Sequence, residues 1–423
     1  MAAITILTVG SRGDVQPFCA IARALLNKGH QVTLASSPNF ADFAADLGIP
    51  FTPVAGSFKQ ILSSEAGIEL LEGNTNVNII DEETLWQQMT DGWSACQGSN
   101  LIVFSPLATW GYNIAEALKI PAVLATQVPV SATKAFPFLN FANRTNNPLT
   151  GQANLLSYRL VSFLFWRRNA KTINRFRQTV LDLPPLPFLG AKYRRNPPPQ
   201  LTPLPIINCF SAAVISPPSD WPDFMHQAGY CFLNTTENAT TPYSLPPGLQ
   251  TFLEQTPKPL YVGFGSMIAR DPQQLAETVI SAFEETKQRA VLCSGWGEIK
   301  QKDLPDSIYL AESIPHDWLF PKVTAAIHHG GAGTTAATLN AGIPSIVVPF
   351  FADQPIWGAQ LEELGVSPAT LPRAELKCDL LVESIRQILE DDSFHTNAKD
   401  LQTRIHAERG LEKTVSVIEF YLR

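Results

Sequence analysis

Short apolar segments alternate with turns and amphipathic stretches along most of this chain, and this rhythm constrains the fold more than any other feature. The first repeat runs from a branched segment at Ala3–Thr8 to an apolar-periodic stretch at Pro17–Lys28 and a second apolar segment at Gln31–Ala35. Pro17 lies near the predicted start of the helix and Gly29 directly after its end, which are typical boundary residues. The order strand, helix, strand predicts a unit with parallel strands.

The rhythm returns in both halves of the chain. It is present at Leu101–Pro106, Ile114–Thr126, Pro205–Val214, Pro259–Met267, Arg289–Gly295, Thr324–Thr335 and Pro344–Phe350. We therefore expect an α/β protein with two Rossmann-like doubly wound domains facing across a cleft. The predicted parts are an N-terminal domain over 1–235, a linker over 236–248, a C-terminal domain over 249–405 and a helix over 406–423 that can cross back to the N-terminal domain. The linker is polar, contains proline and lacks periodicity.

Length, composition and charge exclude several classes of protein. The chain has 423 residues, of which 45% are apolar and 16% charged, so it is long enough for two or three globular domains. Its net charge of −7 gives no overall positive field for nucleic acid. The six cysteines form no CxxC pair and no zinc-type spacing, and we expect reduced thiols. No segment has the pattern of a signal peptide or a membrane span, so we expect a cytoplasmic location.

The strongest local motif is the segment from His328 to Pro344, HHGGAGTTAATLNAGIP. A predicted strand ends at the histidines, glycines follow, and the helix is expected to begin at Thr334. Small residues let an anion approach the backbone, and a helix N-terminus supplies N–H donors and partial positive charge. His329 is expected to add a charge-assisted hydrogen bond. The motif predicts either an anion site or a tight turn that binds nothing.

Three further turns follow predicted strands. In Gly263–Met267, Ser266 is either an anion donor or part of a plain turn. In Gly10–Pro17, Asp14 lies where open α/β sheets bind ligands, and it is either a general base or a cap of the following helix. In Pro349–Gly358, the adjacent Asp353 and Gln354 offer acceptors and donors for a polyhydroxyl ligand.

Together these turns resemble those of the family 1 glycosyltransferases of the GT-B fold, in the branch with sterol glucosyltransferases and bacterial enzymes that glycosylate antibiotic aglycones. The resemblance rests on GSRGDVQP, GHQVTLAS, SPLATWGYNIAEALKIPAV, FGSM and the stretch from IPHDWLFP through DQPIWG. It implies an inverting, metal-independent enzyme that moves a sugar, expected to be glucose from UDP-glucose, to a hydroxyl of an apolar acceptor such as a sterol, giving a β-glycoside. The nucleotide sugar is a co-substrate, and no cofactor is expected.

The resemblance also implies a role for each matching residue. Asp14 would be the catalytic base. The residues expected at the donor diphosphate are Ser11, Arg12, Ser266, His329, Gly331, Gly333 and Thr334. Asp353 and Gln354 would bind the donor sugar, and Ile314 and Pro315 would line the nucleobase pocket. Plant members place a Trp and a Glu where this chain has Ser313 and Ala337. Trp296 would supply the missing aromatic face or belong to the core.

The segment Leu155–Gln178 combines six Arg or Lys and no acidic residue with a dense apolar run. It is expected either to contact an anionic membrane peripherally or to pack Phe163–Trp166 into the core and expose its charges to water. In the resembling family this segment and Ala125–Phe138 lie around the acceptor pocket. Sterols, other hydroxylated lipids and polyketide aglycones all fit such a pocket.

Three other functions fit parts of the sequence. A nucleotide-sugar-binding protein without transfer activity would keep every donor contact, and a GT-B-like epimerase would need no acceptor. A membrane-docked interaction protein would depend on Leu155–Gln178 and would have no affinity for a sugar nucleotide. Asp14 favours transfer, because a donor-binding protein needs no base.

Overall fold

The computed structural model describes residues 1–57, 67, 80–141, 144–145, 147–190, 198–234, 244–265, 272–293 and 300–422. The chain divides into two compact units. The first consists of Met1–Ile61, Ile80–Leu233 and Glu408–Arg423, and the second of Leu62–Ile79 and Asn234–Ala407. The predicted domain boundaries stay predictions, and most of the predicted linker lies outside the described residues.

The described residues form twelve strands and thirteen α-helices. The strands are β1 (Ala3–Leu7), β2 (Gln31–Ser36), β3 (Phe51–Pro53), β4 (Leu101–Phe104), β5 (Ala122–Thr126), β6 (Ile206–Asn208), β7 (Met225–Gln227), β8 (Leu260–Gly263), β9 (Ala290–Cys293), β10 (Ile308–Ala311), β11 (Ala326–His328) and β12 (Ser345–Val347). The helices are α1 (Arg12–Asn27), α2 (Ala41–Asp46), α3 (Glu82–Ala95), α4 (Gly111–Leu118), α5 (Pro148–Thr179), α6 (Leu249–Glu254), α7 (Pro272–Thr286), α8 (His316–Leu319), α9 (Ala332–Ala341), α10 (Gln354–Glu363), α11 (Cys378–Glu390), α12 (Asp392–Glu408) and α13 (Gly410–Tyr421).

Each unit contains one parallel sheet, which confirms the predicted pair of doubly wound folds. Among the described residues, the strand order is β3-β2-β1-β4-β5-β6-β7 in the first unit and β10-β9-β8-β11-β12 in the second. In both sheets the order reverses beside the first strand, at β1/β4 and at β8/β11. Open parallel sheets bind ligands at the carboxyl ends of the strands at such a switch point. The turns after β1, β8 and β11 therefore occupy the binding edges of their own units.

Apolar side chains cover both faces of the first sheet. Ile4 and Ile6 of β1 pack with Phe18 of α1 in one cluster, whereas Leu7 belongs to a second cluster with Ile102. Burial on both faces explains why these strands are almost continuously apolar in sequence. Among the described helices, none combines the length and the apolarity that crossing a membrane requires.

Helix α1 begins at Arg12, so the predicted start at Pro17 is wrong by five residues. Ser11 precedes the helix in an extended conformation, and the carboxylate of Asp14 accepts a hydrogen bond from its backbone N–H. This reciprocal cap stabilises a turn that the apolar pattern does not show. Pro17 therefore lies inside the helix.

The C-terminal helix α13 belongs to the first unit and packs against α1. Lys28 Nζ lies 2.6 Å from Glu419 Oε2 in this contact. Just before α13, Glu408 Oε1 accepts hydrogen bonds from Ser211 Oγ at 2.9 Å and from the N–H of Ala213 at 3.2 Å. Segments 197 and 391 residues apart in sequence are thus joined to the C-terminal part of the chain within one unit.

Candidate functional site

The Gly-rich turn of the second unit lies at the switch point of its sheet. His328, the last residue of β11, pairs with Gly263, the last residue of β8. The turn after β11 and the turn after β8 therefore start side by side. This register is set by the parallel pairing of the two strands.

The turn is shaped by two glycines with different roles. Gly330 has φ 81°, and a Cβ there would lie 2.7 Å from Val347 Cγ1 and 2.9 Å from the carbonyl oxygen of Gln354. Gly331 is extended and caps α9. The helix begins at Ala332, so the predicted start at Thr334 is two residues late, because Gly331 already takes the capping conformation.

The first turn of α9 provides the donors that an anion needs. Thr335 makes the first helical hydrogen bond, from its N–H to the carbonyl of Gly331 at 2.9 Å. The N–H groups of Ala332, Gly333 and Thr334 precede it and have no acceptor within a regular helix. With the helix dipole, they give this end of α9 the donors and the partial positive charge that an anion requires. Gly331, Gly333 and Thr334 are thus brought together as predicted by their spacing, and Ala332 joins them through its backbone.

His329 lies directly against this helix end. A Cβ on Gly331 would collide with His329 Nε2, and one on Gly265 would lie 3.2 Å from its Cε1. The Nδ1 atom of His329 is buried without a hydrogen-bond partner. Burial lowers the pKa of His329 to about 4, and a hydrogen bond with the backbone of Gly263 only partly opposes this. The ring is therefore neutral at pH 7. A charge-assisted hydrogen bond from His329 to an anion stays a prediction, and it requires that the anion raise this pKa.

The preceding histidine has a structural role that the sequence analysis missed. His328 is fully buried, and its Nδ1 accepts a hydrogen bond from the N–H of Gly330 at 3.0 Å. Burial, followed by the electrostatic influence of His329 and His316, holds the pKa of His328 well below the usual range. A neutral His328 with Nδ1 as acceptor fixes the start of the Gly-rich turn. The paired histidines in the sequence were the available signal.

Asp353 and Gln354 follow β12, and Gln354 lies against the Gly-rich turn through its carbonyl group. Both side chains accept hydrogen bonds from residues of the same segment, 350–357. Asp353 Oδ2 accepts a hydrogen bond from Trp357 Nε1 at 2.8 Å, and Gln354 Oε1 accepts from the N–H groups of Phe350 and Phe351 at 2.8 and 3.2 Å. Sugar binding by these two residues stays a prediction.

The predicted nucleobase residues precede the short helix α8. Ile314 is only 5% exposed and belongs to the apolar core of the second unit, so its side chain supports the chain from inside. Pro315 follows it at the N-cap of α8. The next residue was missed by the sequence analysis: His316 stacks on Phe320 with ring centroids 4.3 Å apart, and its Nε2 lies 3.2 Å from the hydroxyl of Tyr261.

Asp14 lies on the first turn of α1 at the switch point of the first sheet. Its Oδ2 accepts hydrogen bonds from the N–H and the hydroxyl of Ser11, at 2.7 and 2.8 Å. Burial raises the pKa of Asp14 despite these two bonds, which lower it. A Cβ on Gly10 would lie 2.5 Å from Asp14 Oδ2. The carboxylate thus caps the helix and also has the raised pKa that suits a base, so the two interpretations from the sequence are compatible.

Arg12 lies one residue after Ser11 and is exposed. Its Nε donates to Gln16 Oε1 at 3.1 Å, and its guanidinium lies 4.5 Å from the ring centroid of Phe43. Ser266 and Trp296 lie outside the described residues, and their roles stay predictions. No cluster of three or more His, Cys, Asp or Glu suited to a metal ion occurs in the described part of the chain.

Two family models match separate parts of the chain. The model for the N-terminal domain of glycosyltransferase family 28 matches residues 4–137. The model for the C-terminal domain of erythromycin biosynthesis protein CIII-like proteins matches residues 294–415. The second match includes the Gly-rich turn and the loop with Asp353.

The chain is also similar to sterol 3-beta-glucosyltransferases over nearly its whole length. It is 34% identical to the enzyme of Candida albicans over 98% of this chain and 27% of that protein. The enzyme of Aspergillus clavatus is likewise 34% identical, over 98% of this chain and 29% of that protein. This chain thus spans less than a third of the length of these relatives.

Solved structures share the fold along the whole chain. The glycosyltransferase of kitacinnamycin has a TM-score of 0.68 and 17% identity, and the match covers 100% of this chain and 99% of that one. Spinosyn rhamnosyltransferase SpnG with spinosyn aglycone has a TM-score of 0.66 and 19% identity, with 99% and 100% covered. SsfS6 from Streptomyces sp. SF2575, complexed with thymidine diphosphate, has a TM-score of 0.61 and 18% identity, with 99% and 100% covered.

The two family models match glycosyltransferase domains in separate parts of the chain, and the solved glycosyltransferases share its fold from end to end. The chain therefore has the GT-B fold, with an N-terminal domain of glycosyltransferase family 28 and a C-terminal domain of the erythromycin biosynthesis protein CIII-like type.

Proposed function

We propose that this chain transfers a sugar from a nucleoside diphosphate to a hydroxyl of an apolar acceptor. The observation that carries the proposal is the anion-binding end of α9, where His329 faces the Gly331 cap at the switch point of the second sheet. A diphosphate leaving group develops negative charge as the sugar leaves. Fixed N–H donors and a helix dipole stabilise such charge without reorganisation.

UDP-glucose is the proposed donor, since the relatives along the whole chain are named glucosyltransferases. The complex of SsfS6 with thymidine diphosphate supports TDP as the competing nucleotide. A thermal shift with UDP, TDP, GDP and their glucose conjugates separates them, because a ligand that binds only the native state raises Tm. We expect the nucleotides of one nucleobase to raise Tm more than the others do. No increase with any nucleotide at millimolar concentration would contradict the proposal.

Asp14 is the proposed base, which takes the proton of the acceptor hydroxyl as its oxygen attacks C1 of the sugar. Burial raises the pKa of this carboxyl, as required for a group that must accept a proton near neutral pH. Attack from the side opposite the diphosphate inverts C1 and converts an α-linked donor to a β-glycoside. The proton NMR coupling of the product's anomeric hydrogen tests this, and an α-glycoside would overturn the inverting mechanism.

The reaction is proposed to be independent of metal ions. The N–H donors at the N-terminal end of α9, with His329 beside them, would stabilise the negative charge of the leaving diphosphate, as a divalent cation does in other transferases. Turnover should therefore be unchanged after dialysis against EDTA. Activity that disappears with EDTA and returns with Mg²⁺ or Mn²⁺ would refute this part of the proposal.

The proposed acceptor is a hydroxylated lipid or another apolar small molecule, with sterols as the leading class because the relatives are named for them. Turnover with the identified donor should be measured on sterols, other hydroxylated lipids and polyketide aglycones. A protein that binds the donor but transfers to none of these, even with Asp14 intact, would fit the alternative of a nucleotide-sugar-binding protein.

A further inference from the structure

Helix α5 presents an apolar stripe to solvent. Leu149, Leu156, Leu160 and Leu164 are between 54% and 83% exposed. Their spacings of seven, four and four residues place all four on one face of a helix. Buried Gly151, Asn154 and Tyr158 mark the side that packs on the first unit. These leucines therefore point away from the core of their own unit.

This arrangement corrects the hypothesis that Phe163–Trp166 pack into the core. Leu164 and Phe165 are 57% and 54% exposed. Phe163 and Trp166 are partly buried under a neighbouring loop, where the Phe163 ring centroid lies 5.9 Å from that of Phe188, and Trp166 Nε1 donates to the carbonyl of Phe188 at 2.9 Å. Phe188 itself is 65% exposed and enlarges the apolar surface.

Basic residues continue the stripe toward the end of the helix. The exposed ones are Arg159, Arg167, Arg168, Lys171 and Arg175. Arg177, the sixth basic residue of the segment, is fully buried against Glu116 and takes no part. Lys171 lies near one acidic side chain of the described residues: Glu82 Oε2 is 3.9 Å from Lys171 Nζ, and both side chains are highly exposed. Such a contact is weak and leaves the positive potential largely in place.

We propose that this face, the stripe Leu149–Leu164 with Phe165 and Phe188 and the five exposed basic residues, docks on an anionic lipid bilayer. An apolar face flanked by Arg and Lys is suited to lie in the interface between headgroups and acyl chains. The charge complementarity selects an anionic bilayer as the occupant, because anionic headgroups attract Arg and Lys whereas a neutral surface does not.

The same helix is tied to the loop that the sequence analysis placed at the acceptor. Asn154 Nδ2 donates to the carbonyl of Lys134 at 2.8 Å, and Ser157 Oγ accepts from the N–H of Phe138 at 2.8 Å. Phe138 also packs edge-on against Tyr158. This step rests on the proposed function, in which the acceptor is a membrane lipid. Docking through α5 would then bring the loop with Lys134 and Phe138 to the bilayer that contains the acceptor.

Vesicle flotation of the full chain tests the docking without measuring turnover. With vesicles of phosphatidylcholine and 30% phosphatidylglycerol, the unaltered chain should float. The double variant Leu156→Gln/Leu160→Gln should lower the partition coefficient at least tenfold. The double variant Arg167→Gln/Lys171→Gln should lower it several-fold and weaken its dependence on salt. Equal binding by these variants and the unaltered chain would overturn the proposal.

Matched controls come from the same chain. Leu245 and Leu380 are exposed leucines at 37% and 38%, outside the stripe. Leu245→Gln/Leu380→Gln should leave flotation unchanged, and binding that drops equally in this variant would refute a specific face. Equal flotation with pure phosphatidylcholine would contradict the anionic selection. A dimer in sedimentation velocity that Leu156→Gln/Leu160→Gln converts to monomer would replace the bilayer by a second copy as the occupant.

Failure of docking is distinguishable from failure of the proposed function. The thermal shift with nucleotides reports on the second unit and should be the same in all these variants. With an acceptor dissolved in detergent, the stripe variant should retain turnover, whereas with the same acceptor in anionic vesicles its turnover should fall at least tenfold. Equal loss in both formats would mean that the substitutions damage the fold or the acceptor site rather than docking.

Discussion

Asp14 Oδ2 accepts two hydrogen bonds from one residue, the N–H of Ser11 at 2.7 Å and its hydroxyl at 2.8 Å. One carboxylate oxygen thus closes the cap of α1 at the switch point of the first sheet. Burial raises the pKa of this carboxyl, while the hydrogen bonds from Ser11 lower it. Ser11 therefore affects the pKa of the proposed base and also caps α1.

Asp14→Asn should abolish most turnover, by about a hundredfold or more, because an amide cannot accept the acceptor's proton. Binding of the nucleotide sugar should survive, as measured by the thermal shift. Ser94→Ala, an exposed serine on α3, is the matched control for a neutral substitution. Near-normal turnover of Asp14→Asn would show that another group is the base.

Ser11→Ala should move the acidic limb of the pH profile of kcat/KM to higher pH. The hydroxyl favours the charged carboxylate, so its removal raises the pKa of Asp14 further. A base works deprotonated, and activity is lost as pH falls through that pKa. Ser11→Thr keeps a hydroxyl and should restore the original limb. A purely structural role of Ser11 would lower activity equally at every pH.

His329→Gln should weaken nucleotide binding by about 1.5–3 kcal/mol, the range for a hydrogen bond to a charged group. The sign of the pH effect follows from the pKa of His329, which burial lowers to about 4. A bound diphosphate favours the protonated ring and raises that pKa, so affinity should be highest at low pH and fall as pH rises. Titration calorimetry with UDP between pH 5 and 8 measures this.

In that experiment His329→Gln should show only the pH dependence of the nucleotide itself. His395→Gln, on α12 away from the turn, should behave like the unaltered chain. If His329→Gln keeps the steeper pH dependence, another group takes up the proton.

Gly330→Ala should destabilise the second unit more than Gly248→Ala does. Their φ angles are nearly equal, 81° and 79°, so the backbone strain of an alanine is matched. At Gly248 nothing lies within 4 Å of the new Cβ, whereas at Gly330 the carbonyl of Gln354 blocks it. The difference, expected at about 1–3 kcal/mol, is measured by urea denaturation. Equal losses would show that the turn relaxes without cost.

Arg177→Met should lower the free energy of unfolding by about 3–5 kcal/mol, since it leaves the buried Glu116 carboxylate without its partner. Arg177 Nη1 lies 2.8 Å from Glu116 Oε2 and 2.7 Å from Asn113 Oδ1, in a fully buried position. Arg177→Met/Glu116→Leu should recover much of the loss, because apolar side chains replace both charges. An exposed pair, Arg404 and Asp400, is the control, and Arg404→Met should cost less than about 1 kcal/mol.

The alternation of apolar segments and turns was sufficient to predict the architecture and the turns at the switch points. Strands buried on both faces must be apolar throughout, and the helices between them must follow a period of 3.6 residues, so the alternation is visible without coordinates. Gly330 and Gly331 marked a tight turn after a strand, and a side chain at either position would meet its neighbours at less than 3 Å. The two doubly wound units were therefore predictable from the pattern, whereas anion binding at this turn stays a prediction.

The environment of individual side chains could not be predicted from the sequence pattern. The neutral state of His329 depends on burial by residues distant in sequence, and the bonds of Gln354 to Phe350 and Phe351 depend on how one loop folds on itself. Arg177 is indistinguishable in sequence from its basic neighbours, yet it is buried against Glu116, sixty-one residues away. The charge state, the burial and the hydrogen-bond partners of a side chain depend on contacts between separate segments. Local periodicity in the sequence does not predict those contacts.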